Sequence, residues 1–434
     1  MRSRPLVGFE TVVDEGSTTT TMSPNHHPFS ETITLNGHII DSLILPRVMD
    51  AIMDLGGDFD VEELRVGRHK QEPSHARLRV FADSEQQMRQ ILDTLQGLGA
   101  QILDGGDVRT EPAPVDGAAP EDFYSTTNLP TQVRLNGRWI DVRGTEMDLV
   151  IVVDRERGEA YTKPIAEIKA GEPIAVGHEG IRVIPMERER EQEVFSFMRS
   201  AVSSERPNAL AIANVARVMR EVRMAGGKIL FVVGPAIIHS GAGEYLARLI
   251  RHGYVQVLFG GNAIAVHDVE SQLYGTSLGI DLKSGLPVPG GHRNHMRAIN
   301  AIRRVGSLEK AVEIGLLRSG VMYEAIRHGV QMVLAGSIRD DGPMPGVISD
   351  MMEAQRQMRE ALKGVEMAIM VATMLHSIAT GNLLPAHVKV VVVDINPATV
   401  TKLADRGTFQ AVGMVTDAEL FLRELVEELD LPES

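Results

Sequence analysis

The chain has 434 residues, 43% hydrophobic and 24% charged, with a net charge of −14, which suits a soluble protein of two or three domains with sizeable cores. The acidic balance argues against a general affinity for nucleic acid or anionic membrane, where a basic patch is expected. The absence of cysteine excludes a disulfide scaffold, thiolate catalysis and Cys-type zinc sites. The N-terminus carries no apolar core of signal-peptide length and no later run approaches about 18 apolar residues, so the expected compartment is the cytoplasm. The 21 methionines, set against sparse aromatics, read as adaptable aliphatic packing.

Residues 1–30 are rich in Ser, Thr and Pro and carry the adjacent His26 and His27. With no third ligand nearby they read as an exposed lead-in rather than a metal site. From Glu31 the pattern changes. TITLNGHII alternates as a strand, and SLILPRVMDAIMDLGG reads as a helix closed by Gly56 and Gly57. FDVEELRVG and ARLRVF are strands joined by a polar loop, and SEQQMRQILDTLQGLGA is an amphipathic helix with Ser84 at its N-cap. This order gives a small two-layer α+β module. Arg65, Arg68, His69, Lys70, Arg77 and Arg79 cluster about its loop as a solvated face. Residues 105–130, rich in Pro, Gly, Ala and Asp, read as a linker or long connection. QVRLNGRWIDV, DLVIVVD, EAYTKPI, EPIAVG and GIRVIP then predict the strands of a small β module, with Trp139 as a core anchor. Two helical segments broken near 203–207 lead into the larger domain. The expected divisions are a lead-in at 1–30, an α+β module with a β subdomain at 31–190, and a catalytic domain at 191–434.

The larger domain opens on KILFVVGPAIIHSGAGE. The apolar, β-branched run 229–233 reads as a strand buried on both faces of a parallel sheet. Gly234 ends it, a loop with Gly241, Ala242 and Gly243 follows, and EYLARLIRHG is a helix. Such a helix start favours a bound phosphate, although the spacing is not a strict G-x-G-x-x-G. The rhythm then repeats. YVQVLFGGNA is a strand before a helix carrying His267, Asp268 and Glu270; QMVLAGSIRDDGPMPG is the next; 367–371 is a strand with 373–376 as its loop. VKVVVVDINPATVTKLADRG is the clearest unit, and FQAVGMVTD precedes a helix capped by Thr416 or Asp417. At least five parallel strands with crossover helices predict an α/β, doubly wound, mostly parallel Rossmann-like domain. The long helical insertion 274–327, with DLKSGLPVPGGHRNH, is expected to cover a face or make a subunit contact.

In an open parallel sheet ligands bind beyond the carboxyl ends of the strands, so the residues just after each strand carry the chemistry. Asp394 closes a hydrophobic strand, where a carboxylate can bond both hydroxyls of an adenosine ribose and repel a 2′-phosphate, favouring NAD over NADP; its structural alternative is a helix cap. Val415 and Asp417 would then lie near the adenine. Gly260 and Gly261 let backbone approach a ligand closely, and Asn262 can donate and accept beside them; the alternative is a turn and cap. Asp340 and Asp341 are adjacent carboxylates that in a crevice could bind an ammonium or act as a base. Arg339, Arg293 and Arg297 are candidate carboxylate clamps. By pattern alone His267, His292, His295 and His376 read as structural. With no H-E-x-x-H or other regular ligand spacing, no metal is expected.

The stretches GHIIDSLILPRVMDAIMDLGGDF, VGPAIIHSGAGEYLARLI, LFGGNAIAVHDVE, AGSIRDDGPMPGV, ATMLHSIATGNLLP and VVVVDINPATVTKLADRGT together resemble the archaeal-type, NAD-dependent ornithine cyclodeaminase family, the LOR/SDH-like group, over roughly residues 31–430. The chain is also similar to the carboxyl-terminal half of cyanobacterial bifunctional arginine dihydrolase/ornithine cyclodeaminases. Their additional guanidine-modifying domain needs a cysteine nucleophile, so arginine dihydrolase activity is not expected here. The resemblance implies a deoxyhypusine-synthase-like NAD-binding fold and conversion of L-ornithine to L-proline with loss of ammonia. It implies that Asn262, Ala263, Asp341, Thr373, Met374, Leu375, His376 and Asp394 face NAD, and that members are homotetramers. Asp341 is assigned in addition to proton transfer or ammonium binding, and Gly241, Ala242 and Gly243 to one wall of the crevice. In the implied reaction hydride leaves the α-carbon of ornithine, the side-chain amine attacks the resulting imine, ammonia departs, and the cyclic imine takes the hydride back. A site that excludes water protects such an intermediate. Two other functions fit the residues. An amino-acid or saccharopine-type dehydrogenase would accumulate NADH, and a non-catalytic NAD- or amino-acid-sensing module would bind ligands without turnover.

Overall fold

The computed structural model describes residues 27–40, 42–67, 72–102, 106–184, 208–340, 342–405 and 411–433. The first unit runs β1 (Phe29–Gly37), α1 (Ile44–Asp54), β2 (Asp58–Arg65), β3 (Ser74–Ala82), α2 (Glu85–Gly97) and β4 (Gln101–Ile102). Its four-stranded antiparallel sheet has the order β2-β3-β1-β4, the ferredoxin-like β-α-β-β-α-β arrangement. Alternation in β3 turns Ala76, Leu78 and Val80 inward onto Val48 and Ile52 of α1 and Ile91 and Leu95 of α2. Ser84 caps α2, its hydroxyl accepting the Gln87 amide at 3.1 Å. The closing strand β4 is two residues long, too short to leave a periodic signal.

The second unit is a seven-stranded sheet of β5 (Arg109–Pro112), β6 (Thr131–Leu135), β7 (Arg138–Arg143), β8 (Val150–Asp154), β9 (Glu159–Lys163), β10 (Pro173–Val176) and β11 (Ile181–Val183), ordered β11-β6-β7-β9-β8-β10-β5. Three expectations are corrected here. QVRLNGRWIDV is a hairpin, because Asn136 and Gly137 both take positive φ, 50° and 74°, as a two-residue primed turn requires. Trp139 is 37% exposed, with the Arg182 guanidinium 4.2 Å from its ring centre, rather than a core anchor. The stretch expected to be a linker supplies β5 and buries Tyr124, Thr126, Asn128 and Leu129; its Pro and Gly content marks turns between packed segments.

The third unit contains α3 (Asn208–Met224), β12 (Lys228–Val233), α4 (Ala236–His239), α5 (Gly243–Arg251), β13 (Val257–Gly261), α6 (Asn262–Tyr274), the hairpin β14 (Thr276–Ser277) and β15 (Ile280–Asp281), α7 (Asn294–Val305), α8 (Leu308–Glu313) and α9 (Val321–Arg327). It continues through β16 (Gln331–Ala335), α10 (Met351–Ala361), β17 (Val365–Val371), α11 (Leu375–Leu383), β18 (Lys389–Asp394), α12 (Pro397–Asp405), β19 (Ala411–Val415) and α13 (Ala418–Glu428). The six strands are parallel, in the order β16-β13-β12-β17-β18-β19, which is the 3-2-1-4-5-6 order of dinucleotide-binding folds. Alternate residues of β12 feed opposite cores. Ile229, Phe231 and Val233 face one layer with Met219, Leu246 and Phe421, while Leu230 and Val232 face the other with Phe259 and Met370. Among the described residues no helix is long and apolar enough to cross a membrane.

The chain reverses direction across the sheet between β12 and β17, and there the backbones nearly touch. The Gly234 amide donates to the Val371 carbonyl at 3.1 Å, and a Cβ on Gly234 would lie 2.0 Å from the Ala372 carbonyl oxygen. The β module docks nearby. The Asn128 side-chain amide donates to the carbonyls of Gly381 (3.2 Å) and Leu384 (2.7 Å) at the end of α11, and Glu146 pairs with Arg359 at 2.8 Å. Because backbone rather than a flexible side chain opposes Gly234, Gly234→Ala is expected to lower the unfolding free energy by about 1–3 kcal/mol. Urea denaturation against the wild type measures this.

Candidate functional site

The loops beyond the carboxyl ends of the parallel strands gather most of the residues singled out above. At β17, Ala372 takes a left-handed φ of 54°, a strained state for a residue with a Cβ. It turns the chain so that α11 starts directly after Thr373 and Met374. Among the described residues no side chain caps α11, so the amides of its first turn project with the positive end of the helix dipole. The Ser377 hydroxyl donates to the Thr373 carbonyl, fixing that turn. Met374 and Leu375 are exposed. His376 reaches over the sheet edge: its Nε2 lies 3.4 Å from the Ala335 carbonyl of β16, and a Cβ on Gly261 would come within 3.0 Å of its ring. Burial lowers the His376 pKa against the opposing effects of the Ala335 carbonyl and Asp340.

On the other half, β13 passes into α6 with no intervening loop. Asn262 is buried and its side-chain oxygen accepts the Met344 amide at 3.0 Å, tying the loop after β16 to this junction. Ala263 is half-buried in the first turn of α6. Asp340 accepts the Ser337 amide at 2.6 Å. Asp341 lies outside the described residues, as do His26, residues 185–207, and Arg68, His69 and Lys70.

Asp394 and Val415 are register partners at the ends of β18 and β19. One Asp394 oxygen accepts the Asn396 amide at 2.8 Å, and Asn396 in turn accepts the Ala398 amide at 3.0 Å, so Asn396 provides the helix cap. Asp417 is exposed and caps α13 through the amides of Glu419 (2.8 Å) and Leu420 (3.3 Å). Gly241, Ala242 and Gly243 are placed differently from the expected strand–helix loop. The one-turn helix α4 intervenes, Gly241 (φ 84°) turns the chain between α4 and α5, and Ala242 is fully buried. Arg297 stacks 4.6 Å from the Tyr274 ring centre and donates to Asn294 at 3.3 Å.

The structure also assembles a polar cluster that sequence reasoning did not find. Glu270 on α6 is fully buried. One of its oxygens accepts the Thr276 hydroxyl (2.9 Å) and the Gly279 amide (3.1 Å); the other bonds His267 Nδ1 (2.9 Å) and the Leu278 amide (3.3 Å). The His267 ring stands edge-on to His239, centres 4.7 Å apart, and His239 Nδ1 lies 2.6 Å from the Ser277 hydroxyl. Asn294 donates to Thr276 at 3.0 Å. The His267–Glu270 spacing of one helical turn was visible in the sequence, but His239 arrives from another element and only the fold joins them. Asp268, one residue away, faces elsewhere and caps α9 through the amides of Val321 (2.9 Å) and Met322 (2.8 Å); burial pushes its carboxyl up to about 6 against those bonds.

The strand order, the switch-point crevice and the uncapped helix beside it define a dinucleotide-binding α/β protein. Family models extend this over the chain. Residues 30–129 match the LOR/SDH bifunctional enzyme conserved region, 130–212 the first region of the ArgZ-like arginine dihydrolase carboxyl-terminal part, and 213–425 its Rossmann fold. The ornithine cyclodeaminase of Methanocaldococcus jannaschii is 55% identical over 408 residues, 93% of this chain and 96% of that protein. The chain therefore belongs to the ornithine cyclodeaminase family. The apo crystal structure of ArgZ, an arginine dihydrolase from the ornithine–ammonia cycle in cyanobacteria, superposes with a TM-score of 0.82 at 40% identity, over 93% of this chain and 58% of that one. AgrE in ternary complex with ornithine and NAD+ superposes with a TM-score of 0.50 at 47% identity, over 93% and 57%. The chain thus spans a little under three-fifths of these two bifunctional proteins.

Burial raises the Glu270 pKa, but His267, the Gly279 amide and the Thr276 hydroxyl outweigh it and hold the carboxyl below its ordinary value of 4.5. A depressed folded-state pKa gives stability that is complete above the unfolded value and is lost as the pH falls through the folded one. Urea denaturation at stepped pH below 4.5 is therefore expected to show a steeper loss of stability for the wild type than for Glu270→Gln.

Proposed function

We propose that the protein converts L-ornithine to L-proline and ammonia, using NAD as a cofactor restored at the end of each turnover. The observation that carries this reading is that nearly the whole chain, not one domain, aligns with relatives named ornithine cyclodeaminase, at 55% identity in one case. The AgrE complex with ornithine and NAD+ supports the same pairing of substrate and cofactor.

The residues present fit NAD. The uncapped start of α11 offers amides to a pyrophosphate. Among the described residues Asp394 engages Asn396 through one oxygen, which leaves the other for a ribose hydroxyl. In this reading Thr373, Met374, Leu375 and His376 hold the pyrophosphate side, and Asp394, Val415 and Asp417 the adenosine side. Asn262 and Ala263 close the far wall, with Gly241, Ala242 and Gly243 behind it. Asp341 keeps its assignment to the cofactor and to the substrate ammonium or a proton. Bound NAD supplies the reversible hydride acceptor. The chain binds and orients substrate and cofactor.

We further propose that residues 191–434 form the catalytic domain and 31–190 a separate module. The protein would act in the cytoplasm as a homotetramer in proline formation from ornithine. The exposed Leu278, Leu286 and Met296 of the insertion suit a subunit contact.

Incubation with ornithine and NAD is expected to yield proline and ammonia in equal amounts with no net NADH; accumulating NADH would replace this reading with a simple dehydrogenase. Asp394→Ala is expected to weaken NAD binding by about 10- to 100-fold, the loss of charged hydrogen bonds to ribose. Titration calorimetry measures it, and unchanged affinity would remove Asp394 from the site.

A further inference from the structure

We propose that His267, oriented by Glu270 and backed by His239, moves the proton between the substrate's α-nitrogen and the protein, a proposal that rests on the ornithine cyclodeaminase reading. The four hydrogen bonds to Glu270 occupy both its oxygens, so this carboxylate is a fixed anion and not itself a proton carrier. Its bond to Nδ1 selects the His267 tautomer with hydrogen on that nitrogen, which leaves Nε2 as an acceptor; carboxylate–imidazole pairs prepare general bases in this way. A buried glutamate needs only donors. Here Thr276 and the amides of Leu278 and Gly279 already satisfy it, yet two imidazoles stand in line beside it.

The position also fits. His239 is half-exposed at the end of α4, immediately beyond β12, whereas His267 is 8% exposed and Glu270 is 0% exposed. Exposure thus falls from His239 through His267 to Glu270. They lie on the β12–β13 half of the domain, opposite the β17–β19 half where Thr373, Asp394 and Val415 gather. A dinucleotide spanning the switch point with its adenosine on the latter half puts its reactive end, and the substrate, on the former.

The step conserves atoms and electrons. Nε2 takes one proton from the α-ammonium, so the nitrogen has a lone pair when hydride leaves the α-carbon for NAD. The side-chain ammonium gives one proton to solvent, its nitrogen bonds the α-carbon of the iminium, and the ring nitrogen so formed releases a second proton to solvent; these two protons are regained by the departed ammonia and by the ring nitrogen of proline. The α-carbon to α-nitrogen bond breaks as the imidazole returns its proton to the departing ammonia, and the hydride returns to the ring. His239, held by Ser277 and packed edge-on against His267, fixes the position of that ring. Glu270 is a positioning residue.

The test measures proline formation, NAD affinity by calorimetry, melting temperature and the 15N shifts of the His267 ring for the wild type, His267→Gln, His239→Gln and Glu270→Gln. Loss of about 10²- to 10⁴-fold in kcat for His267→Gln, with NAD affinity kept within about twofold, is the expected result. Glu270→Gln should lower kcat more than it raises KM and should move the His267 ring from the Nδ1–H tautomer. A kcat for His267→Gln within about threefold of wild type, or a fall in activity matched by loss of NAD binding, overturns the proposal. If His267→Gln does not fold, the half-exposed His239→Gln decides, and unchanged kcat there overturns it. A wild type that forms no proline from ornithine overturns the underlying reading instead.

Discussion

The backbone contact at Gly234 is the constraint on which the rest of the catalytic architecture depends. Where β12 and β17 part, two chain segments turn to opposite sides of the sheet, and the space between their ends is the crevice. A side chain at Gly234 would meet the Ala372 carbonyl and wedge the halves apart. The left-handed Ala372 is the counterpart on the other strand. Its strained backbone aims Thr373 and the start of α11 across the crevice rather than along the sheet. Close approach on one strand and a stored turn on the other set the spacing between the two halves.

From that spacing follows a division of labour. The β17–β19 half presents a helix start, a strand-end carboxylate and a small apolar rim, which suit a large, partly anionic cofactor. The β12–β13 half presents buried imidazoles and a fully bonded carboxylate, which suit proton chemistry on a small amine. His376 bridges them, starting from α11 and ending against the Ala335 carbonyl of β16. A reaction that removes and returns hydride within one turnover needs both halves held in register.

Much of the fold was legible because its signals are local. Uninterrupted apolar runs such as 229–233 and 389–393 announce buried parallel strands, and glycine and acidic residues after them announce strand ends. Asn136-Gly137 was equally explicit as a hairpin turn but lay inside an apparently continuous strand. The Pro- and Gly-rich stretch 105–130 misled because composition reports turns and does not report whether their flanks are packed. Positions at strand ends could be named from topology, and Asn262, Thr373 and Asp394 do lie there. The Glu270–His267–His239 alignment could not, because a helix buried on all sides has no polar face to betray it, and His239 joins only through tertiary packing. The Gly241–Gly243 loop showed the converse: a familiar glycine pattern that serves a turn between two helices.

Asn128 gives α11 a second significance. The helix that starts at the crevice ends with its Gly381 and Leu384 carbonyls held by an asparagine of the β module. It is a strut nine residues long, pinned at the crevice end and at the module end. Whatever tightens one end restricts the other, and by reciprocity the influence runs both ways. The β module is therefore not a passenger on the dinucleotide fold; it holds the far end of the helix whose start faces the crevice.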